Sequence, residues 1–189
     1  MAMRAGTERK LLDAAEELFF AHGIAATSVD AVLERAGVSS ATLYRGWPSK
    51  EALVAATLTR RQQDWEDTWT RAVDASTTSR DRVLAVFDAL DAFRTRSDAS
   101  RWCAFLGTAS EYADAPAEIR AVLDVESDVL RSRLTTLAED VVGAAAASTV
   151  GEQLALVVSG SLAMRLRDPG YDTTVARAVA GTVLDAAER

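Results

Sequence analysis

Between Thr27 and Lys50 the chain gathers short hydroxyl side chains, one tyrosine and two cations: Thr27, Ser28, Ser39, Ser40, Thr42, Tyr44, Arg45 and Lys50, with Ala41 among them. Such a set makes hydrogen bonds and offers positive charge. It does not do acid–base or nucleophilic work, which needs a nucleophile beside a base. The chain's one histidine, His22, and one cysteine, Cys103, lie far apart in sequence and form no zinc-ligand pattern. No phosphate-binding glycine loop is present, so nothing supports a catalytic site, a metal site or a bound cofactor. Charge is placed unevenly. The chain carries a net charge of −7, yet between Val38 and Gln62 four basic residues (Arg45, Lys50, Arg60, Arg61) face Glu51 alone. A local basic patch on an acidic body suits contact with phosphate while limiting non-specific adhesion, although so small a count is also compatible with chance.

The elements that must position these residues are helices. Ala is frequent, Gly (10) and Pro (3) are sparse, and no alternating strand pattern or internal repeat is seen. The spacing of Leu11, Ala15, Leu18 and Phe19 predicts a first helix from about Thr7, with His22 in its last turn and Gly23 closing it. Thr27 or Ser28 caps a second helix, with Asp30 in its first turn, that stops at Gly37. Ser39 caps a third, very short helix through Tyr44, and Gly46 and Pro48 end it. Two short helices joined by Ala36-Gly37-Val38-Ser39 make a helix-turn-helix, with Gly37 permitting the turn and Val38 plugging the angle. The exposed side of the third helix is small: Ser40, Ala41, Thr42 and Arg45. A helix with such side chains can approach the floor of the DNA major groove, where Ser and Thr reach base edges or phosphates.

Over about 45 residues this part of the chain resembles the TetR family. The resemblance rests on Ala14-Ala15-Glu16-Glu17-Leu18-Phe19-Phe20-Ala21-His22-Gly23, Thr27-Ser28-Val29, Ala36-Gly37-Val38-Ser39-Ser40-Ala41-Thr42-Leu43-Tyr44, and Trp47-Pro48-Ser49-Lys50-Glu51-Ala52-Leu53. It implies an operator-binding dimer whose larger C-terminal domain senses a ligand. Transferred position by position, it puts Thr27 and Ser28 on phosphate, and Ser40, Ala41, Thr42, Tyr44 and Arg45 toward the groove. Lys50 would hold phosphate beside the N-terminus of helix 4, and Leu18, Phe19, Val32, Val38, Leu43 and Trp47 would form a small core. Two departures stand out: Gly46-Trp47 replaces a frequent His-Phe pair, and Leu33 replaces a frequent small Ala.

Beyond Leu53 the pattern predicts a long helix from Glu51 into the seventies, a connection at Ala75–Ser79, and a helix through Val83–Phe93. An apolar segment Trp102–Tyr112 and a long helix after Pro116 follow, and two last helices cover about Val150–Leu166 and Thr173–Ala187. Trp65, Trp69, Phe87, Trp102, Phe105 and Tyr112 form a candidate wall for a small apolar or weakly polar ligand, against the plainer reading that they are core. Glu111 is either a ligand-orienting carboxylate or a solvated or salt-bridged one. Cys103 is either a redox-active thiol or an inert buried one. Val175, Val179, Thr182, Val183 and Ala186 form one stripe, and Leu154, Val158, Ser161 and Leu162 another, and these are expected to make a homodimer interface.

The expectation is therefore an all-α chain: a three-helix helix-turn-helix domain over residues 1–50 and a larger helical ligand-binding and dimerisation domain over 51–189. Its partners are expected to be a double-stranded DNA operator, a second copy of itself and a small ligand, with no membrane. A lone cysteine, no signal-peptide pattern and no apolar run of membrane length fit a bacterial cytoplasmic protein. Three functions stay open: a ligand-responsive repressor, a constitutive or partner-controlled DNA-binding regulator, and a small helical enzyme or binding protein.

Overall fold

The computed structural model describes residues 3–96, 103–112 and 114–188. They form nine helices and no strand: α1 (Ala5–His22), α2 (Val29–Ala36), α3 (Ser40–Gly46), α4 (Lys50–Asp74), α5 (Ser79–Arg96), α6 (Ala104–Glu111), α7 (Ala117–Val142), α8 (Ala144–Arg167) and α9 (Thr174–Ala187). No described helix is long and apolar enough to cross a membrane.

Helix ends follow local chemistry. Ser49 Oγ accepts the Ala52 N–H at 2.9 Å and starts α4. Ahead of α5, Thr78 and Asp81 satisfy each other: the Asp81 N–H donates to Thr78 Oγ1 at 3.0 Å and the Thr78 hydroxyl donates to Asp81 Oδ2 at 2.7 Å. α8 starts at Ala144, six positions earlier than expected. Gly143, at φ 77, turns the chain within one residue, and Ala144–Ala147 then supply strong helix formers without any apolar periodicity to betray them.

The structure divides into two compact units, Met1–Gln62 with Ala99–Asp124, and Gln63–Asp98 with Val125–Arg189. The boundary expected at residue 50 falls inside the first. The reason is packing: Leu53, Val54 and Leu58 of α4, Phe105 of α6 and Ile119 of α7 share a core with Leu11, Phe19, Val32 and Leu43. Of the expected small core, Phe19, Val32 and Leu43 are fully buried, while Leu18, Val38 and Trp47 pack partly buried at its edge. Cys103 is also at that edge, half-buried.

The second unit is built on Trp69, Phe87, Leu134, Leu154, Val158, Ala180 and Leu184. Leu154, Val158 and Ser161, expected at a dimer surface, are buried within the chain. The apolar side that α8 leaves exposed carries Leu156 and Met164, and α9 leaves Val175 and Val179 exposed. α8 is apolar on more than one face, so periodicity alone does not tell its inner stripe from its outer one.

Candidate nucleic-acid interface

The site is built on the turn between α2 and α3. α2 begins where Ser28 Oγ accepts the Ala31 N–H at 3.1 Å. It ends at Gly37, whose φ of 64 and ψ of 39 are left-handed. The Gly37 N–H donates to Glu34 O and the Val38 N–H to Leu33 O, each at 3.2 Å. These are the paired bonds of a Schellman ending, and they place Val38 back against the core, as a plug in the turn must be. α3 then runs for seven residues with Leu43 as its one buried side chain. Ser39 occupies the N-cap position, but its hydroxyl pairs with the Thr42 hydroxyl at 3.0 Å instead of a backbone N–H.

Ser28, Ser39, Ser40, Ala41, Tyr44 and Arg45 are exposed, and Thr42 is half-buried. Tyr44 is 51% exposed, unusual for so large a ring in a small helical unit. Gly46 leaves room that the tip of Met3 fills, since a Cβ there would meet the Met3 methyl.

Two expected contact residues are placed differently from the rest. Thr27 is buried, and its hydroxyl lies 2.8 Å from Gly23 O and 3.2 Å from Leu18 O, tying the α1–α2 turn. Lys50 is half-buried, with Nζ donating to Ile24 O at 2.5 Å and lying 6.0 Å from the centre of the Phe19 ring. Ammonium carries three N–H donors, so further acceptors can be met after this one.

α1 is fastened to α4 by charge. Arg60 donates to Asp13 at 2.7 Å and Glu16 at 2.6 Å, and Arg61 donates to the other oxygen of Glu16 at 2.6 Å. Arg61 also stands 5.3 Å from the centre of the Phe20 ring. Half of the basic patch read from the sequence is thus committed to holding the unit together.

Sequence reasoning missed Glu111 as part of this scaffold. Among the described residues its carboxylate accepts the N–H groups of Ile24 at 3.1 Å and Ala25 at 2.8 Å. One signal was available: an acid as the last residue of a helix opposes the helix dipole and asks for a reason.

The aromatic set is divided between the two cores. Trp69 and Phe87 belong to the second unit, with Trp65 packed against them, whereas Phe105 belongs to the first, with Tyr112 at its edge. Trp102 lies outside the described residues. Burial pushes the Tyr112 hydroxyl above its usual pKa, and the negative charges of Glu51 and Glu111 add to that. No group of three or more His, Cys, Asp or Glu able to hold a metal occurs among the described residues.

Residues 11–57 match the family model described as bacterial regulatory proteins, tetR family. The chain is 29% identical over 162 residues to the HTH-type transcriptional regulator YjdC of Escherichia coli K12, covering 82% of this chain and 81% of that one. The crystal structure of SCO4454, a TetR-family transcriptional regulator from Streptomyces coelicolor, superposes with a TM-score of 0.87 at 28% identity, over 99% of this chain and 98% of that one. Residues 11–57 thus carry a helix-turn-helix of the TetR family. The chain is a DNA-binding transcriptional regulator with an N-terminal helix-turn-helix. A third relative, the HTH-type regulator YdeS of Bacillus subtilis, is 43% identical over 49 residues. That match spans 26% of this chain and 25% of YdeS. TetR-family proteins are regulators that bind DNA as dimers, and they are not enzymes.

Proposed function

We propose that this regulator is a ligand-responsive repressor that binds a palindromic operator as a homodimer. The observation that carries the reading is the exposed face of α3. Ser40, Ala41, Tyr44 and Arg45 project to solvent from a helix pinned by the fully buried Leu43. Small side chains at Ser40 and Ala41 let the helix axis come close to base edges, while Tyr44 and Arg45 reach the flanking backbone. Ser28, Ser39 and the remaining N–H groups of Lys50 add phosphate contacts at the two helix starts. Thr27 is left out, because its hydroxyl is already engaged inside the turn.

Dimerisation is supported by α8 and α9. A single chain leaves Leu156 74%, Val175 56% and Val179 45% exposed, and Val179 lines a groove of about 330 Å³ with Gln153, Thr182, Val183 and Ala186. An apolar helical face of this kind calls for a covering surface. Ligand response is supported by the second unit's aromatic cluster. The Trp65 ring centre lies 5.6 Å from that of Trp69 and 5.7 Å from that of Phe93. The Trp69 indole N–H is buried with no acceptor among the described residues, and an oxygen-bearing apolar molecule would satisfy it.

The test is selection from a random-sequence duplex pool, followed by sedimentation of protein and complex. A two-fold symmetric consensus, with half-sites about 34–36 Å apart or a multiple of that, bound by two chains, is expected. No enrichment, or a single half-site bound by one chain, overturns the proposal. Compounds that quench tryptophan fluorescence are expected to include some that release the selected duplex. If none does, the ligand part fails alone.

A further inference from the structure

Two backbone N–H groups, those of Ile24 and Ala25, follow the end of α1 and belong to no helix. Ile24 is buried, so its N–H needs a partner. The partner lies 87 positions along the chain: the Ile24 N–H donates to Glu111 Oε1 at 3.1 Å, and the Ala25 N–H donates to Oε2 at 2.8 Å. Lys50 holds the carbonyl of Ile24, and the Thr27 hydroxyl holds that of Gly23. The turn is thus gripped by its N–H groups from α6 and by its carbonyls from α4 and from within. Glu111 gives its own helix nothing, since a carboxylate at a helix C-terminus opposes the dipole. α2 starts at Val29, four residues past Ala25, and α3 follows it across a Schellman turn closed by the two bonds from the Gly37 and Val38 N–H groups.

We infer that Glu111 is a positioning residue for DNA reading, fixing the α1–α2 turn and through it the setting of α2 and α3, without touching DNA itself. The inference rests on α3 being the reading helix. Any play released at the turn is inherited by the exposed α3 face, because nothing but Leu43 of α3 is buried to restrain it.

The proposal and simple electrostatics have opposite signs. Removing a negative charge from a DNA-binding unit favours binding to a polyanion. Losing a positioning residue opposes it. Glu111→Gln keeps the size of the side chain, but an amide accepts at one oxygen only and turns an NH2 toward the other N–H. The duplex selected by the wild-type protein from a random pool is the probe, with an unrelated duplex of the same length as control. Glu111→Gln is expected to bind the selected duplex about tenfold more weakly, as loss of a charge-assisted hydrogen bond would produce. Its salt slope and its affinity for the control duplex are expected to be unchanged or raised. Amide hydrogen exchange at Ile24 and Ala25 is expected to quicken in the variant while Val32 and Leu43 keep their protection. Equal or tighter binding of the selected duplex overturns the inference. So does fast exchange of the Ile24 amide in the wild-type protein, a measurement that stands even if the variant fails to fold. Failure of the wild type to select any duplex instead refutes the α3 reading, and the two failures are told apart by that one control.

Discussion

Replacing Thr27 with valine separates two roles that one residue type suits equally, a phosphate contact and a buried tie. In the structure the side chain is 5% exposed, and its hydroxyl lies 2.8 Å from Gly23 O and 3.2 Å from Leu18 O. A hydroxyl has one proton, so the two short contacts amount to about one hydrogen bond, worth about 1 kcal/mol net. Valine fills nearly the same volume, so the cavity contribution is small, but it leaves a partly buried carbonyl short of a donor. The expected loss is about 1–2 kcal/mol, or about 2–8 °C in Tm for a chain of this size. Affinity for the selected duplex is expected to change about twofold at most, with no change in its dependence on salt, since one phosphate contact contributes a slope of about 0.9. Thermal unfolding by circular dichroism and a salt titration of duplex binding measure both quantities on the same sample. An unchanged Tm together with a slope reduced by about one unit would refute the buried tie and restore Thr27 to the DNA surface.

Lys50→Met keeps the stem over Phe19 but removes the charge, so it is expected both to lower Tm and to flatten the salt slope by about one unit. An unaltered slope would confine Lys50 to its bond with Ile24. Val179→Glu is expected to leave the monomer folded, because Val179 is 45% exposed in a single chain, and to shift sedimentation from dimer to monomer. A dimer that survives this change would move the interface away from α9. Burial raises the pKa of Glu126 above the ordinary carboxyl value, partly opposed by Ser127 and Arg131. The folded chain therefore holds that proton more tightly than the unfolded one, and the resulting stability is present at low pH and lost as pH rises through the raised value. Glu126→Gln is accordingly expected to raise Tm at pH 7 and to lose this advantage toward pH 4.5, as melts across that range would show.

Much of the reading head was legible because its signals are local. Ser28, Gly37 and Ser49 act on backbone groups within five residues, so the same bonds form wherever such a segment turns helical. Leu43 alternates with Ser40, Ala41 and Arg45 at helical spacing, and this alone separated the buried side of α3 from its exposed one. The type and order of the helices were legible for the same reason, since helix breakers are few and apolar residues recur with a period near 3.6.

What the tertiary structure decided concerns partners far apart in the chain. A threonine at position 27 suits a helix start, a phosphate contact or a buried tie, and only the approach of α1 selects the tie. Glu111 reads as a surface acid until the α1–α2 turn is brought against it from 87 positions away. The tryptophan and phenylalanine side chains announce burial but not company, and folding assigned Trp65, Trp69 and Phe87 to one core and Phe105 to another. The same holds for α8, whose Leu154 and Leu156 are chemically alike while one is buried and the other 74% exposed. Propensity and capping act through a residue's immediate neighbours, whereas burial and long-range hydrogen bonds depend on which surfaces the completed fold brings together.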